Sequence, residues 1–163
     1  MTVPDIDSRA LRNALGRYAT GIAVVTAMSP DHQPVGLTIN SFAAVSLEPP
    51  LVLWSLDNNS HNLAAFTTAS HHAINVLAAD QEALSQRFAT WPVDRFSGLA
   101  WQPGEGGAPV LPGGCAHFEV INEQQILAGD HTIFIGRVVR LSEHAERAPL
   151  LFFGGSYRHL KTV

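Results

Sequence analysis

Ile22-Ala23-Val24-Val25-Thr26-Ala27, then Ser29-Pro30-Asp31-His32-Gln33-Pro34, then Val35-Gly36-Leu37-Thr38-Ile39-Asn40-Ser41-Phe42 read as strand, turn and strand. The first block is β-branched and suits a half-buried pleated surface. The middle block is turn chemistry, with Pro and Asp setting the local geometry, so the chain folds back as a hairpin. In the second strand Val35, Leu37 and Ile39 fall on one face and Gly36, Thr38 and Asn40 on the other, one dry and one polar.

Outward from this hairpin the pattern repeats in short units. Upstream, Asp7 or Ser8 caps a helix that lines up Leu11, Leu15 and Tyr18, and Gly21 ends that unit. Downstream, residues 43–47 stay extended, Pro49-Pro50 interrupts, and residues 51–56 form a near-continuous apolar strand. Residues 57–60 suit a turn and a helix N-cap, and the short helix that follows turns Leu63 and Phe66 inward. Residues 72–77 read as a strand. Asp80 is the expected cap of another helix, with Glu82 at its positive end and Leu84 and Phe88 one turn apart on the core side. Residues 90–114, rich in Gly and Pro, read as a long loop or flap. Strands at 117–122 and 132–141 join through Ala128-Gly129-Asp130, and residues 150–153 form a last strand before a tail with Tyr157. Many short strands and few helices predict a mainly β fold, a closed or nearly closed β-barrel with a few short helices, since an open sheet would leave edges to manage.

The 163-residue length predicts one domain over 1–163. One Cys closes no intrachain disulfide and makes no zinc cluster, which favours a reducing compartment and a cytoplasmic location. The net charge of −4 and the lack of a basic run argue against nucleic acid as a partner. Pro4, Asp5 and Asp7 are the wrong pattern for a leader, and no stretch approaches a membrane span, so a protein without membrane partners is expected. A charged fraction of 15% is low enough to point to buried subunit contacts.

Motifs for common chemistry are missing. The eight histidines are scattered, and His71 and His72 would point to opposite faces of a strand, so no metal site is expected. There is no GxSxG elbow and no P-loop. Gly104-Glu105-Gly106-Gly107 does not link a strand to a helix, so it is read as flap. Cys115 has no Lys or Arg close in sequence and reads as a small hydrophobe. What stands out is polarity where strands should be dry: Thr38, Asn40 and Ser41, then Ser55 and the 57–60 run. These are either edge, turn and cap residues, or the hydroxyls and amides that a phosphate and a polar heterocycle need without a charge.

At these residues the sequence resembles the short-chain flavin reductases, the reductase components of two-component flavin-dependent monooxygenases, which have the FMN-binding split-barrel fold. The matching stretches are L-G-R-Y-A-T-G-I-A-V-V-T from Leu15, G-L-T-I-N-S-F-A-A-V-S-L-E-P-P from Gly36, W-S-L-D-N-N-S from Trp54, A-G-D-H-T-I-F-I-G-R-V from Ala128 and L-L-F-F-G-G-S-Y from Leu150. The resemblance implies a homodimer that binds FMN or FAD, oxidises NADH or NADPH, and hands reduced flavin to a separate monooxygenase. It places Gly36, Leu37, Thr38, Ile39, Asn40 and Ser41 at the isoalloxazine edge. Ser55, Leu56, Asp57, Asn58, Asn59, Ser60 and Asn62 would surround the ribityl chain and phosphate. Phe88 matches an aromatic near the flavin, His131 the histidine beside the nicotinamide, and Gly155 and Tyr157 lie in a tail that some members use for the nucleotide. Relatives often carry Lys after the third strand; here the segment has none, so the phosphate would be met by backbone dipoles, Arg87, Arg95 or a neighbouring subunit.

By that resemblance the two cofactors carry the redox chemistry, so a protein nucleophile is not required. Two other readings stand beside it: a non-enzymatic flavin carrier or sensor, and a pyridoxamine phosphate oxidase, which would be expected to need more basic residues than this chain has.

Overall fold

A computed structural model describes residues 5–90 and 94–161. Residues 1–4 of the expected leaderless start and residues 91–93 of the expected flap lie outside the described residues. In chain order the elements are α1 (Ser8–Leu15), β1 (Thr20–Gly21), β2 (Ala23–Met28), β3 (Pro34–Ile39), β4 (Ala43–Leu47), β5 (Pro50–Asp57), α2 (Leu63–Thr68), β6 (His71–Val76), α3 (Glu82–Ala89), β7 (Gln102–Pro103), β8 (Pro109–Val110), β9 (Ala116–Ala128), β10 (His131–Glu143), β11 (Leu151–Phe153) and β12 (Ser156–Arg158).

Seven strands form one sheet in the order β3-β2-β6-β9-β10-β5-β4. Its two edge strands are consecutive in the chain, and the four Cα steps from Ile39 to Ala43 span at most roughly 15 Å. The sheet must therefore roll until its edges approach, which makes the expected barrel. Inside it Trp54 stacks on Phe134 with ring centroids 4.5 Å apart, and Phe66 of α2 meets the indole edge-on at 5.0 Å. The alternation expected in the first hairpin holds: Ile39 lies in this core with Val35 and Leu37 packed against it.

A second apolar cluster lies outside the barrel wall, where Ile22, Val24, Phe88, Leu111 and Leu150 pack under α3 and the 99–111 segment. Because β2 is covered on both faces, its run from Ala23 to Ala27 is buried without interruption.

Several expectations change. The 117–122 and 132–141 strands are thirteen residues each, β9 and β10, because Gly129 at φ +64° turns them directly into a hairpin. The 90–114 stretch is no free flap where it is described: Leu111 is 1% exposed, and Glu119 fixes the backbone N–H of Glu105 at 2.6 Å. Asp80 does not cap α3; its carboxylate takes Arg147 at 2.5 Å and the boundary residue is Gln81. The 57–60 run makes the turn but not the cap: Asn62 bounds α2, and the Ser60 hydroxyl accepts from the Asn62 N–H at 3.3 Å. Asp7 does cap α1, accepting from Ala10 N at 2.8 Å, yet the helix buries nothing and Leu11, Leu15 and Tyr18 stay exposed. The hairpin strand stops at Ile39 rather than 42. Tyr157 lies in β12, not in a tail, because Gly154 and Gly155 both take positive φ and turn β11 back on itself.

Candidate active site

A cleft of about 230 Å³ opens between the end of β3, α3 and the β11–β12 hairpin, lined by Ile22, Thr38, Ile39, Asn40, Ser85, Ala89, Phe152 and Tyr157. Its wall starts from a missing side chain. A Cβ on Gly36 would stand 2.8 Å from Cε1 of Phe88, so only glycine lets the fully buried Phe88 ring press against β3 and seat α3 there. One turn earlier on α3, Ser85 ties the parts together. Its carbonyl accepts from the Thr38 hydroxyl at 2.6 Å, and its buried hydroxyl pairs with the Tyr157 hydroxyl at 2.9 Å. The polar face of β3 thus meets a helix and a hairpin that the sequence places far away. Asn40 is exposed at the mouth, and its side chain makes no hydrogen bond among the described residues.

A polar rim continues from this point. The Ser41 hydroxyl accepts from Ser55 N at 3.0 Å and donates to Ser55 O at 3.3 Å, stitching the 40–42 connection to β5. Further along β5, Asp57 stands opposite His131 in the strand register. Asp57 accepts from Asn59 N at 2.8 Å, while Asn58 receives the Thr132 hydroxyl at 2.7 Å and donates to Gly129 O at 3.4 Å. The loop after β5 is thereby fastened to the tip of β9–β10. At that tip Nδ1 of His131 lies 2.8 Å from Oδ1 of Asp130, and the bond from His131 holds the Asp130 carboxyl below its usual pKa. A carboxylate only accepts, so Nδ1 carries a proton towards Asp130 and Nε2 is turned away from it.

The structure brings Thr38, Ile39, Asn40 and Tyr157 together in the cleft and aligns Ser41, Ser55, Asp57, Asn58, Asn59 and His131 along the rim. Gly36 and Asn62 line a smaller cavity of about 180 Å³ with Asp94, Arg95 and Phe96, where Arg95 Nη1 donates to Gly36 O at 2.6 Å. Other residues of the expected set stand elsewhere. Phe88 is sealed in the outer cluster and Leu56 in the barrel core, so neither presents a side chain to a ligand. Leu37 packs against the barrel core. Arg87 is occupied by main-chain carbonyls, donating to Arg95 O at 2.6 Å and to Ser97 O. Ser60 is half-buried in the turn before α2 and does not line the cleft, and Gly155 forms the β11–β12 turn. Ile22, Ser85, Ala89 and Phe152 were missed. Ala89 shares the Ser85 face of α3 at helical spacing, but nothing local marked Ser85, Ile22 or Phe152.

The residues present suit a phosphorylated ring cofactor. Ile22, Ile39 and Phe152 give apolar walls, Asn40 has a free amide, and Arg95 adds a cation in the neighbouring cavity. Chain and family model agree over residues 15–161, the model being that of the flavin reductase like domain. The chain belongs to the flavin reductase like family. Among relatives, it is 49% identical over 151 residues to the FMN reductase (NADH) SmoA of Agrobacterium fabrum, covering 93% of this chain and 85% of that one. To the flavin-dependent monooxygenase reductase subunit HsaB of Rhodococcus jostii it is 41% identical, covering 93% and 77%. Among solved structures, the NADH:FAD oxidoreductase SgcE6 of Streptomyces globisporus, in complex with NAD and FAD fragments, superposes with a TM-score of 0.90 at 37% identity, covering 99% of this chain and 98% of that one. The mainly β split barrel of the flavin reductases is therefore the fold of this chain.

Proposed function

We propose that the chain is an NAD(P)H-dependent flavin reductase that takes FMN or FAD, works as one domain over 1–163, and supplies reduced flavin to a flavin-dependent monooxygenase. The observation that carries this reading is the cleft itself: apolar walls, a free Asn40 amide, and a floor of β3 backbone held by Gly36 and Ser85. When bound, the flavin accepts the hydride that the reduced nicotinamide gives up, so the protein's work is placement and exclusion of water.

Asn40 offers donor and acceptor to a ring edge at the mouth. Phe152, Ile22 and Tyr157 shield the inner wall from water. His131, held through Nδ1 by Asp130, presents Nε2 to the amide of a nicotinamide. Asn62 meets the phosphate, and Arg95, whose own donors go to Thr90 O and Gly36 O, adds positive charge beside it. NADH is the favoured nucleotide, supported by the names of SmoA and SgcE6.

A cleft of about 230 Å³ is smaller than the roughly 300–1,000 Å³ that encloses a drug-sized ligand, so part of the cofactor lies against other surface. A homodimer supplies it. Outward-facing Leu53, Ile133, Ile135 and Ile126 sit side by side across β5, β10 and β9, with Ile126 44% exposed, an apolar stretch that a second copy covers. Among the described residues no helix is long and apolar enough to cross a membrane, and we place the protein in the reducing cytoplasm.

The test is nucleotide oxidation followed at 340 nm with each flavin and each nucleotide. Flavin-dependent consumption of NADH is expected; no activity in any of the four combinations overturns the reading, and tight flavin retention without reduction selects a carrier or sensor instead.

A further inference from the structure

A second cavity, of about 540 Å³, opens where the 100–113 segment crosses the base of the β9–β10 pair; its lining includes Trp101, Gln102, Leu111, His117, Ser142 and His144. It shares no lining residue with the cleft. Ser142 stands eleven residues from His131 on β10, roughly 36 Å along an extended strand. The volume is in the range that holds a small molecule.

The walls differ in kind. Val110, Leu111, Pro112 and the Trp101 indole make an apolar side. On the polar side His117 is already committed: Nε2 lies 2.6 Å from Leu111 O and must donate to it, so Nδ1 accepts from the Ser142 hydroxyl at 3.2 Å. Burial lowers the His117 pKa, which agrees with a neutral ring. By contrast the Trp101 indole N–H, the Gln102 amide and Nε2 of His144 make no hydrogen bond among the described residues. The His144 Nδ1 lies 3.9 Å from a Glu146 carboxylate oxygen, so an anion placed here meets a negative charge beside the one imidazole that could receive it.

We propose that this cavity is a second small-molecule site, separate from the flavin cleft, that takes an uncharged planar aromatic compound carrying one carbonyl or hydroxyl oxygen. The ring lies on the Trp101–Val110 wall and its oxygen takes a hydrogen bond from the Gln102 amide.

The test is a calorimetric titration of the full-length protein, saturated with FMN to keep the cleft occupied, with acetophenone as probe and benzoate as its anionic counterpart. Saturable binding of one acetophenone per chain is expected, at least tenfold tighter than benzoate. Ala100→Trp, at an exposed lining position, fills the cavity and weakens binding at least tenfold; Gln102→Ala weakens it several-fold and serves alone if the first variant does not fold. Absence of saturation, equal binding of benzoate, or unchanged binding in the variants overturns the proposal. So does protection of segments 100–102 and 142–144 from hydrogen exchange that rises with protein concentration and not with probe, since the cavity is then an interface between copies.

Discussion

The hydrogen that serves as the side chain of Gly36 decides how close α3 comes to the barrel. Its replacement by a methyl group meets Phe88 Cε1 at 2.8 Å and Thr26 Cγ2 at 3.1 Å, both inside packed surroundings that yield little. Gly36→Ala is therefore expected to lose about 1–3 kcal/mol of stability, read as a lower thermal midpoint, together with weaker flavin binding in a fluorescence titration. His131 acts at the other end of the rim and touches none of this packing. His131→Ala should lower turnover with NADH about tenfold or more, as loss of one positioned polar contact of about 1.4 kcal/mol implies, while flavin affinity changes little. If flavin binding collapses and the rate per bound flavin is unchanged, the assignment of His131 to the nucleotide side fails. Asn40 was legible in the sequence because polar residues at strand ends are locally conspicuous, while His131 came only from the resemblance to the family. Ser85 was not, since its importance comes from two partners, Thr38 and Tyr157, at 47 and 72 residues' separation.

Among the elements, α2 and β6 are joined through the barrel core by one imidazole. His72 is 1% exposed, lies 3.0 Å from Phe66 O through Nε2, and receives the Trp54 indole N–H at Nδ1 over 3.4 Å. That arrangement needs the neutral ring, and burial holds its pKa down at about 4 against an ordinary 6.5. Between these values the unfolded chain binds a proton that the folded chain does not, so stability falls as pH drops from 6.5 toward 4, by about 3 kcal/mol in all. Urea denaturation across this window should show the slope, and His72→Gln should flatten it. The β11–β12 hairpin is the other element with a single fastening to the cleft. Tyr157→Phe leaves the buried Ser85 hydroxyl without its partner, which is expected to cost about 1 kcal/mol and to raise the KM for NADH more than it lowers kcat. Unchanged kinetics in a folded Tyr157→Phe protein would remove the hairpin from nucleotide binding. Strand types were readable from composition, but the lengths of β9 and β10 were not, because Gln124, Gln125 and the other polar residues of their outer half carry no dry alternation.

For the whole molecule, the unsatisfied feature is the apolar outer surface of β5, β9 and β10, where Ile126 is 44% exposed. Equilibrium sedimentation is expected to give twice the 17.5 kDa chain mass. Replacing Ile133 and Ile126, cross-strand neighbours in the register, by Glu should shift the protein toward monomer and weaken flavin binding in parallel. A monomeric parent protein with full activity would separate the flavin site from any second copy. The low charge fraction hinted at such contacts, yet only the register shows which side chains form the surface.

Local chemistry determined much of this protein by itself: the Ser29–Pro34 turn, the two-faced strand that follows it, the mainly β class, and the polar residues at 38–41 and 57–60, because each depends on backbone preference and a period of two along one strand. The tertiary structure alone decided that β3 and β4 close a barrel, that Phe88 is a buried prop and not a ligand contact, and that Ile22, Ser85 and Phe152 share a cleft. Those outcomes rest on which distant segments bury each other's apolar faces, and no local pattern carries the identity of a packing partner.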